Sequence, residues 1–255
     1  MMIARALRLA AMLIIAPLPL RAETLVTALS TERVSIESNF TGSGVVIFGT
    51  VERDRQTVAR GAPYEIVVTL TGPLRPMVAR RKERVAGIWI NRTSSELPRV
   101  PSFLAIATTA PMADVAGNPV RARQGLGFDM LPTRGLPDAL PPVRTEFDAA
   151  FFRLMQKENL FSLNEGSVEF LSPQLFKAPI ALPSNVPIGW YTATVYLFSG
   201  GVLLAKTTQD FSILKGGFEQ AITDLAHQRP ALYGLAAVVV ACFTGWLAGV
   251  AFRRD

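Results

Sequence analysis

The residues of this sequence best suited to chemistry lie in one short run, Arg80-Arg81-Lys82-Glu83-Arg84. The guanidinium groups of Arg80, Arg81 and Arg84 present forked donors that match the oxygens of sulfite, sulfate or phosphate, so they form a candidate oxyanion-binding site. The same groups could equally contact anionic lipid headgroups or an acidic partner. The plainer interpretation is a solvated, charged strand edge that discourages aggregation.

Patterns typical of enzymes are missing from the sequence, which holds a single histidine, His227, and a single cysteine, Cys242. A typical zinc site and a Ser-His-Asp triad both need more than these residues offer, so we predict no metal, no cofactor and no catalytic residue. The acidic residues are scattered singly. A cell-wall or carbohydrate-active enzyme with paired carboxylates stays open, although no spacing favours it.

The two ends of the chain predict its topology. Arg5 and Arg8 precede a short apolar run, and Ala22 offers a small residue for cleavage, so residues 1–22 read as a signal peptide. Residues 231–252 carry no charge and would form a helix of about 33 Å, enough to cross a bilayer. The basic tail, 253–255, places the C-terminus in the cytoplasm. We therefore expect a single-pass protein of the bacterial inner (plasma) membrane with its domain in the periplasm.

The net charge of +6 mostly records this topology. Five of the 26 basic residues lie in the signal and the tail, as does one of the 20 acidic residues, which leaves 21 against 19. The predicted periplasmic part therefore carries a charge of only about +2. That balance does not support a nucleic-acid-binding face, so no nucleic acid is expected among the partners.

Between the two ends, the hydrophobic pattern is mainly that of β-strands. Runs of period two or of continuous apolar residues are separated by Gly, Pro and Ser, which favours an immunoglobulin-like antiparallel β-sandwich region or regions. Residues 44–51 are apolar on both faces, so this strand is expected to be central and covered on both sides. The predicted strands span residues 25–26, 34–37, 44–51, 64–70, 85–90, 103–108, 167–171, 190–198, 202–206 and 210–214.

One amphipathic helix is expected to interrupt the strands. Thr145 is a candidate N-cap with Asp148 at the third helical position, and an apolar face of Phe147, Phe151, Leu154 and Met155 would pack on the sandwich. The predicted parts are an N-terminal β-rich part (23–130), a Pro-rich connection (131–145), a helix and C-terminal hairpin part (146–215) and a juxtamembrane neck (216–230).

Within the predicted span, small residues recur every four positions at Ala237, Ala241, Gly245 and Gly249. Such a column lets another helix approach closely, which in lipid is a main route to helix association. We expect this face to pack on a partner helix, either in a multi-span protein or in a second copy of the chain.

Three stretches carry a resemblance to a known family: 38–49, 80–91 and 187–191, together with the C-terminal span. They resemble a family of uncharacterised alphaproteobacterial transmembrane proteins with a signal, a periplasmic domain and one terminal span. Genes of that family often lie beside sulfite-exporter-like permeases. The resemblance therefore implies an accessory role in handling a sulfur oxyanion, and it supplies no site residues.

The leading hypothesis is a membrane-anchored, non-catalytic accessory protein that assists a membrane partner, such as a sulfite-exporter-like permease. The alternatives are a periplasmic oxyanion-binding module that uses the arginine cluster and, last, a cell-wall or carbohydrate-active enzyme. The first two differ in whether the cluster binds a small anion.

Overall fold

The computed structural model describes residues 23–36, 42–52, 62–132, 145–216, 222 and 225–251. Within these ranges the chain is mainly strand. The strands are β1 (Thr24–Leu29), β2 (Arg33–Ile36), β3 (Ser43–Glu52), β4 (Tyr64–Thr71), β5 (Leu74–Val85), β6 (Ile88–Pro101), β7 (Leu104–Thr108), β8 (Phe161–Asn164), β9 (Glu169–Phe170), β10 (Leu175–Leu182), β11 (Gly189–Ser199) and β12 (Val202–Lys215). The helices are α1 (Met112–Val115), α2 (Asn118–Gln124), α3 (Glu146–Lys157) and α4 (Pro230–Ala251).

Two sheets form a sandwich. Sheet 1 has the order β1-β3-β10-β9, and sheet 2 has the order β2-β12-β11-β4-β7-β8. Both sheets pair strands from before and after the Pro-rich connection, β3 with β10 and β4 with β11. The two β-rich parts therefore belong to one sandwich. Most pairings are antiparallel, but β2 with β12 and β7 with β8 are parallel, so sheet 2 is mixed.

The main core lies between the two sheets. Alternate residues of β3 and β10, such as Ile47 and Phe176, meet alternate residues of β4 and β11, such as Val68 and Tyr191. All four of these side chains are fully buried. The period-two alternation of the strands thus supplies one apolar face from each sheet, as a sandwich requires.

A second apolar cluster covers the other face of sheet 2. Tyr196 and Phe198 of β11 project there, because they alternate with the core-facing residues of the same strand. They pack with Phe151 of α3, Met112 of α1 and Leu97 of β6. The domain therefore has three layers, namely sheet 1, sheet 2, and an outer layer that holds the helices and the β5–β6 hairpin.

Helix α4 has the length and composition of a membrane span. Residues Pro230–Val250 have a mean hydropathy of 1.9 and contain no charged residue, and the other described residues leave this helix uncovered. The prediction of a terminal apolar helix at 231–252 is confirmed to within a residue at its start.

Several strand predictions are confirmed, including β3, β4, β7 and the β11–β12 hairpin. Three details of the strand predictions were wrong. Residues 85–90 are not one strand but the turn of a hairpin, and residues 210–214 continue β12 instead of forming another strand. The third is β3, which is covered on one face only: Ile47 is fully buried, whereas Phe48 is 38% exposed, because sheet 1 is an outer layer.

The structure confirms the predicted start of the amphipathic helix but differs in which residues form its buried face. Thr145 caps α3 and forms a capping box with Asp148, as the sequence indicates. Phe151 and Met155 are buried, but Leu154 is exposed and Phe152 is buried in its place. The predicted signal peptide, residues 133–144 of the Pro-rich connection, most of the residues between β12 and Leu225 and the basic tail lie outside the described residues.

The close approach of β10 to β3 gives a stability prediction at Gly49. A Cβ atom on Gly49 would lie 2.4 Å from Cζ of the fully buried Phe176 ring. We expect Gly49→Ala to lower the free energy of unfolding by about 1–3 kcal/mol, because the ring must shift within a packed core. Urea denaturation of the full chain in detergent, followed by near-UV circular dichroism, measures this change.

Gly44→Ala is the matched control on the same strand, because its Cβ would lie 3.7 Å from the Ile180 carbonyl oxygen, an ordinary contact. We expect it to leave stability unchanged or slightly raised. A Gly49→Ala variant as stable as Gly44→Ala would contradict the tight packing of β3 on Phe176.

Candidate functional site

The arginine cluster lies on a long hairpin, which we call the arm and define as β5 and β6 with their connecting turn. The two strands pair antiparallel from Leu74 opposite Pro101 to Val85 opposite Ile88. Ala86 and Gly87 form the turn with φ of +50° and +87°. Two successive positive φ values characterise the type I′ turn that fits the twist of a two-residue hairpin.

The base of the arm is fixed by apolar contacts. Leu97 and Val100 of β6 are fully buried in the outer cluster of sheet 2. Met77 and Ala79 of β5 pack against the same cluster. An isolated two-stranded hairpin is marginal in water, so this attachment is what gives the arm a defined position.

Above the base, a polar network joins the two strands to α3. Arg81 donates to the Glu83 carboxylate from Nη2 at 3.1 Å and to Oε1 of Glu146 from Nη1 at 2.7 Å. The Thr93 hydroxyl donates to the same Glu83 oxygen at 2.8 Å. Arg92 lies near the other Glu83 oxygen, with 3.8 Å between Nη1 and Oε2. Glu83 is thus the acceptor that links both strands of the arm.

The electrostatics of this network follow from its hydrogen bonds. The hydrogen bond from Thr93, followed by the one from Arg81, holds the pKa of Glu83 below its usual value. The pKa of Arg81 is raised by its hydrogen bond to Glu83 and by the nearby charge of Glu146. Both groups are therefore kept charged at neutral pH.

The partner on α3 is placed by the helix cap. The Thr145 hydroxyl accepts from the Asp148 backbone N–H, and the Thr145 backbone N–H donates to Oδ2 of Asp148 at 2.8 Å. This capping box fixes the first turn of the helix, and Glu146 is its first residue. The cap thereby positions the Glu146 carboxylate against Arg81.

The three arginines of the candidate oxyanion site do not come together on one face. Side chains alternate along a strand, and Arg81 shares the inner face of the arm with Glu83. Arg80 and Arg84 therefore lie on the opposite, outer face with Lys82 between them. These three form an exposed cationic row that is about 14 Å from end to end, at roughly 3.4 Å per residue.

The tip of the arm is apolar and exposed. We define the tip as Val85, Ile88, Trp89 and Ile90, of which Ile88 and Trp89 are 67% and 65% exposed. Trp89 is paired with Arg84, so its ring continues the cationic row on the outer face. Aromatic and arginine side chains together are the commonest hot-spot residues of protein interfaces.

Sequence reasoning missed the tip, because it interpreted residues 85–90 as a single apolar strand. The signal that could have found it is the pair Ala86-Gly87 between two runs of strand-forming residues. The turn lacks the Asn-Gly or Asp-Gly pair that marks most type I′ hairpins. Without an Asn-Gly or Asp-Gly pair, the apolar residues before and after the turn look like one continuous strand.

The remaining predicted residues lie near or within α4. Ala237, Ala241, Gly245 and Gly249 lie on α4 and are exposed. A Cβ on Gly245 or Gly249 would meet nothing within 4 Å among the described residues. His227 is exposed in a short helical stretch, residues 225–228, before the span.

Comparisons with known proteins give one clear result. A family model described as "putative transmembrane protein" matches residues 24–254, nearly the whole chain. Comparison with curated proteins finds no match. A crystal structure of Spo0M, a sporulation control protein from Bacillus subtilis, is similar at 10% identity and a TM-score of 0.24, with 82% of this chain and 56% of that chain covered. The chain thus spans about half the length of that protein.

The polar network yields a prediction for Glu83→Gln. The neutral amide cannot serve as the common anionic acceptor for Arg81 and Thr93, so the outer half of the arm should open more often. We expect faster amide hydrogen exchange in residues 80–93 with unchanged protection in β11, as measured by mass spectrometry at neutral pH. Glu96→Gln, on the exposed face of β6, is the matched control.

The sign of the pH dependence follows from the lowered pKa of Glu83. The stability that the ionised Glu83 contributes to the arm is fully present above the usual carboxylate pKa. It is lost as the pH falls through the lowered pKa of Glu83. Acid should therefore loosen the wild-type arm toward the exchange rates of Glu83→Gln, after correction for intrinsic exchange. Equal exchange in both proteins at neutral pH would contradict this role of Glu83.

Proposed function

Because the chain belongs to the family of alphaproteobacterial putative transmembrane proteins, we propose that it is a membrane-anchored accessory protein that docks on a partner protein through the tip of its arm. It carries out no catalysis itself. Helix α4 anchors the chain in the bacterial inner membrane, the β-sandwich lies in the periplasm, and the C-terminal tail lies in the cytoplasm. The partner is a multi-span permease, for which a sulfite-exporter-like protein is the leading candidate.

The observation that carries this proposal is the exposed apolar tip beside the cationic row. Contiguous apolar side chains on a protein surface mark interaction sites, because leaving them in water has no structural benefit. Val85 and Ile88 lie beyond the polar network, and Ile90 is paired with Glu83 at the outer end of that network. The apolar cluster that fixes the base includes none of the three. A partner with an apolar pocket and an acidic rim matches the tip and the row together.

The oxyanion-binding alternative has weaker support. Arg81 already donates to two carboxylates. Arg80 and Arg84, four residues apart on a strand, are too far apart to hold one sulfite or sulfate between them without a large rearrangement. The row suits an extended acidic surface better than a small tetrahedral anion.

Site-specific crosslinking tests the docking proposal. A photoreactive amino acid replaces Trp89 in the full chain, which is expressed in its native membranes, irradiated and purified. We expect a crosslink to a multi-span permease, because the tip would lie in the centre of the interface. Mass spectrometry of the crosslinked peptide identifies the partner and its contact segment.

The same photoreactive residue at Leu154, which is 56% exposed on α3, is the matched control. In a further variant, the photoreactive residue stays at position 89, and Ile88→Ser and Ile90→Ser are added. These two changes should reduce the crosslink at least about tenfold, because hot-spot truncations cost 2 kcal/mol or more. Equal crosslinking from both positions, or none from either, would refute docking through the tip.

The small-residue column of α4 is expected to pack against a helix of the same partner. Leucine at Gly245 and Gly249 would fill the surface that a close helix needs, so association in membranes should fall. Ala236→Leu is the control, because at about 100° per residue Ala236 lies on the same helix but nearly opposite the column. A two-hybrid assay for membrane helices measures the change, and unchanged association would exclude this face.

A further inference from the structure

We propose that the end of sheet 2 where β12 finishes rests on the lipid surface, through a contact patch defined by Ile188, Trp190 and Leu214. This contact is separate from the docking of the arm tip on a protein. The patch contacts the headgroups and the upper acyl chains of the bilayer that α4 crosses.

The patch is apolar and unusually exposed for a sheet face. Trp190 is 73% exposed, the highest value among the large apolar side chains of the described sandwich, and Leu214 is 44% exposed. Trp190 pairs with Ser212, and Leu214 follows two residues later on the same face of β12. Ile188 lies two residues before Trp190 and is 43% exposed.

The position of the patch is fixed by a buried neighbour. The Tyr191 hydroxyl donates to the Pro187 carbonyl oxygen at 2.5 Å, and its ring lies fully buried in the sandwich core. Burial raises the pKa of Tyr191, so this hydroxyl keeps its proton. This hydrogen bond ties Pro187 to the buried Tyr191 and restrains the segment that carries Trp190.

Cations flank the patch. Arg33 pairs with Ser212 in the parallel β2–β12 ladder, so it lies on the same face in the same row as Trp190. Arg75 donates from Nη2 to the Ile188 carbonyl oxygen at 3.2 Å, which holds its guanidinium beside the patch. Asp210, further along this face, accepts a hydrogen bond from Thr192 at 2.8 Å. Apolar side chains with arginines at their rim match lipid tails below anionic phosphates.

The chain path brings this end of the sheet to the membrane. Strand β12 ends at Lys215 and α4 begins at Pro230, so residues 216–229 must cover the whole distance. Fully extended, they would span at most about 50 Å. The helical residues 225–228 shorten this reach. The opposite end of sheet 2 lies a further 45 Å or so away, at about 3.4 Å per residue of β12.

Tryptophan has the chemistry that this location favours. Its ring is amphipathic, and Trp is enriched where the headgroups meet the acyl chains. The same residue on a face that points into water would expose a large apolar surface with no gain. The combination of tether, exposed Trp and flanking arginines therefore favours lipid over a soluble ligand.

The three tryptophans of the chain provide the experiment. The full chain is reconstituted in vesicles of phosphatidylethanolamine and phosphatidylglycerol that contain phosphatidylcholine brominated near the headgroup end of its acyl chains. Phe replaces two of Trp89, Trp190 and Trp246 at a time, which leaves one emitter. Trp246 in the span reports insertion, and Trp89 on the arm tip is the matched exposed control.

We expect the emission of Trp190 to fall by about half with brominated lipid, as for an interfacial residue, while that of Trp89 stays unchanged. The proposal would be overturned if aqueous acrylamide quenched Trp190 to the same degree as Trp89 and brominated lipid did not quench Trp190. Protection of Trp190 from both quenchers would also overturn the proposal and would indicate contact with a second copy of the chain.

A charge variant tests the flanking cations in the same assay. Arg33→Gln in the chain with Trp190 alone should reduce the lipid quenching, and omission of phosphatidylglycerol should have the same effect. Arg153→Gln, on the exposed face of α3, is the matched control. An Arg33→Gln effect no larger than that of Arg153→Gln would contradict a role for Arg33 in lipid contact.

Discussion

The packing of the arm's base on the outer face of sheet 2 is the contact on which the candidate surface depends. Leu97 and Val100 are fully buried there against Tyr196 and Phe198. A free two-stranded ribbon would gain too little from its own hydrogen bonds to remain ordered. The buried base supplies the missing stability, and it sets the direction in which the tip and the cationic row are presented.

The run Arg80–Arg84 shows how strand geometry divides one sequence cluster into two roles. On the inner face, Arg81 and Glu83 hold the arm together and connect it to α3 through Glu146. On the outer face, Arg80, Lys82 and Arg84 remain exposed. Composition alone could not separate these roles, because the division depends on the period of two along β5. The register shift beside Arg81 adds its extra residue, Arg92, to β6. The inner pair is structural, and the outer row is the part available to a partner.

Much of the fold was predictable from local signals, and the exceptions have physical reasons. The β11–β12 hairpin, the capped start of α3 and the apolar α4 each carry a strong local pattern: a Gly-Gly turn, a Thr-x-x-Asp cap and a long uncharged run. Strand β5 lacks such a pattern, since seven of its 12 residues are charged or proline. It is a strand because β6 pairs with it and sheet 2 supports both. The partner strand β6 contains Pro98, a residue that edge strands tolerate.

The two proposed contacts constrain each other through the geometry of the arm. Arg75 at its base touches Ile188 in the lipid-contact patch, and the tip lies ten residues further along β5. Met77 packs against the outer cluster of sheet 2, to which Tyr196 and Phe198 of β11 also belong, so the base of the arm crosses that face. A strand of that length spans about 33 Å. With the patch on lipid, the arm can hold the tip up to that distance from the bilayer, where its apolar residues need a protein surface that extends beyond the membrane.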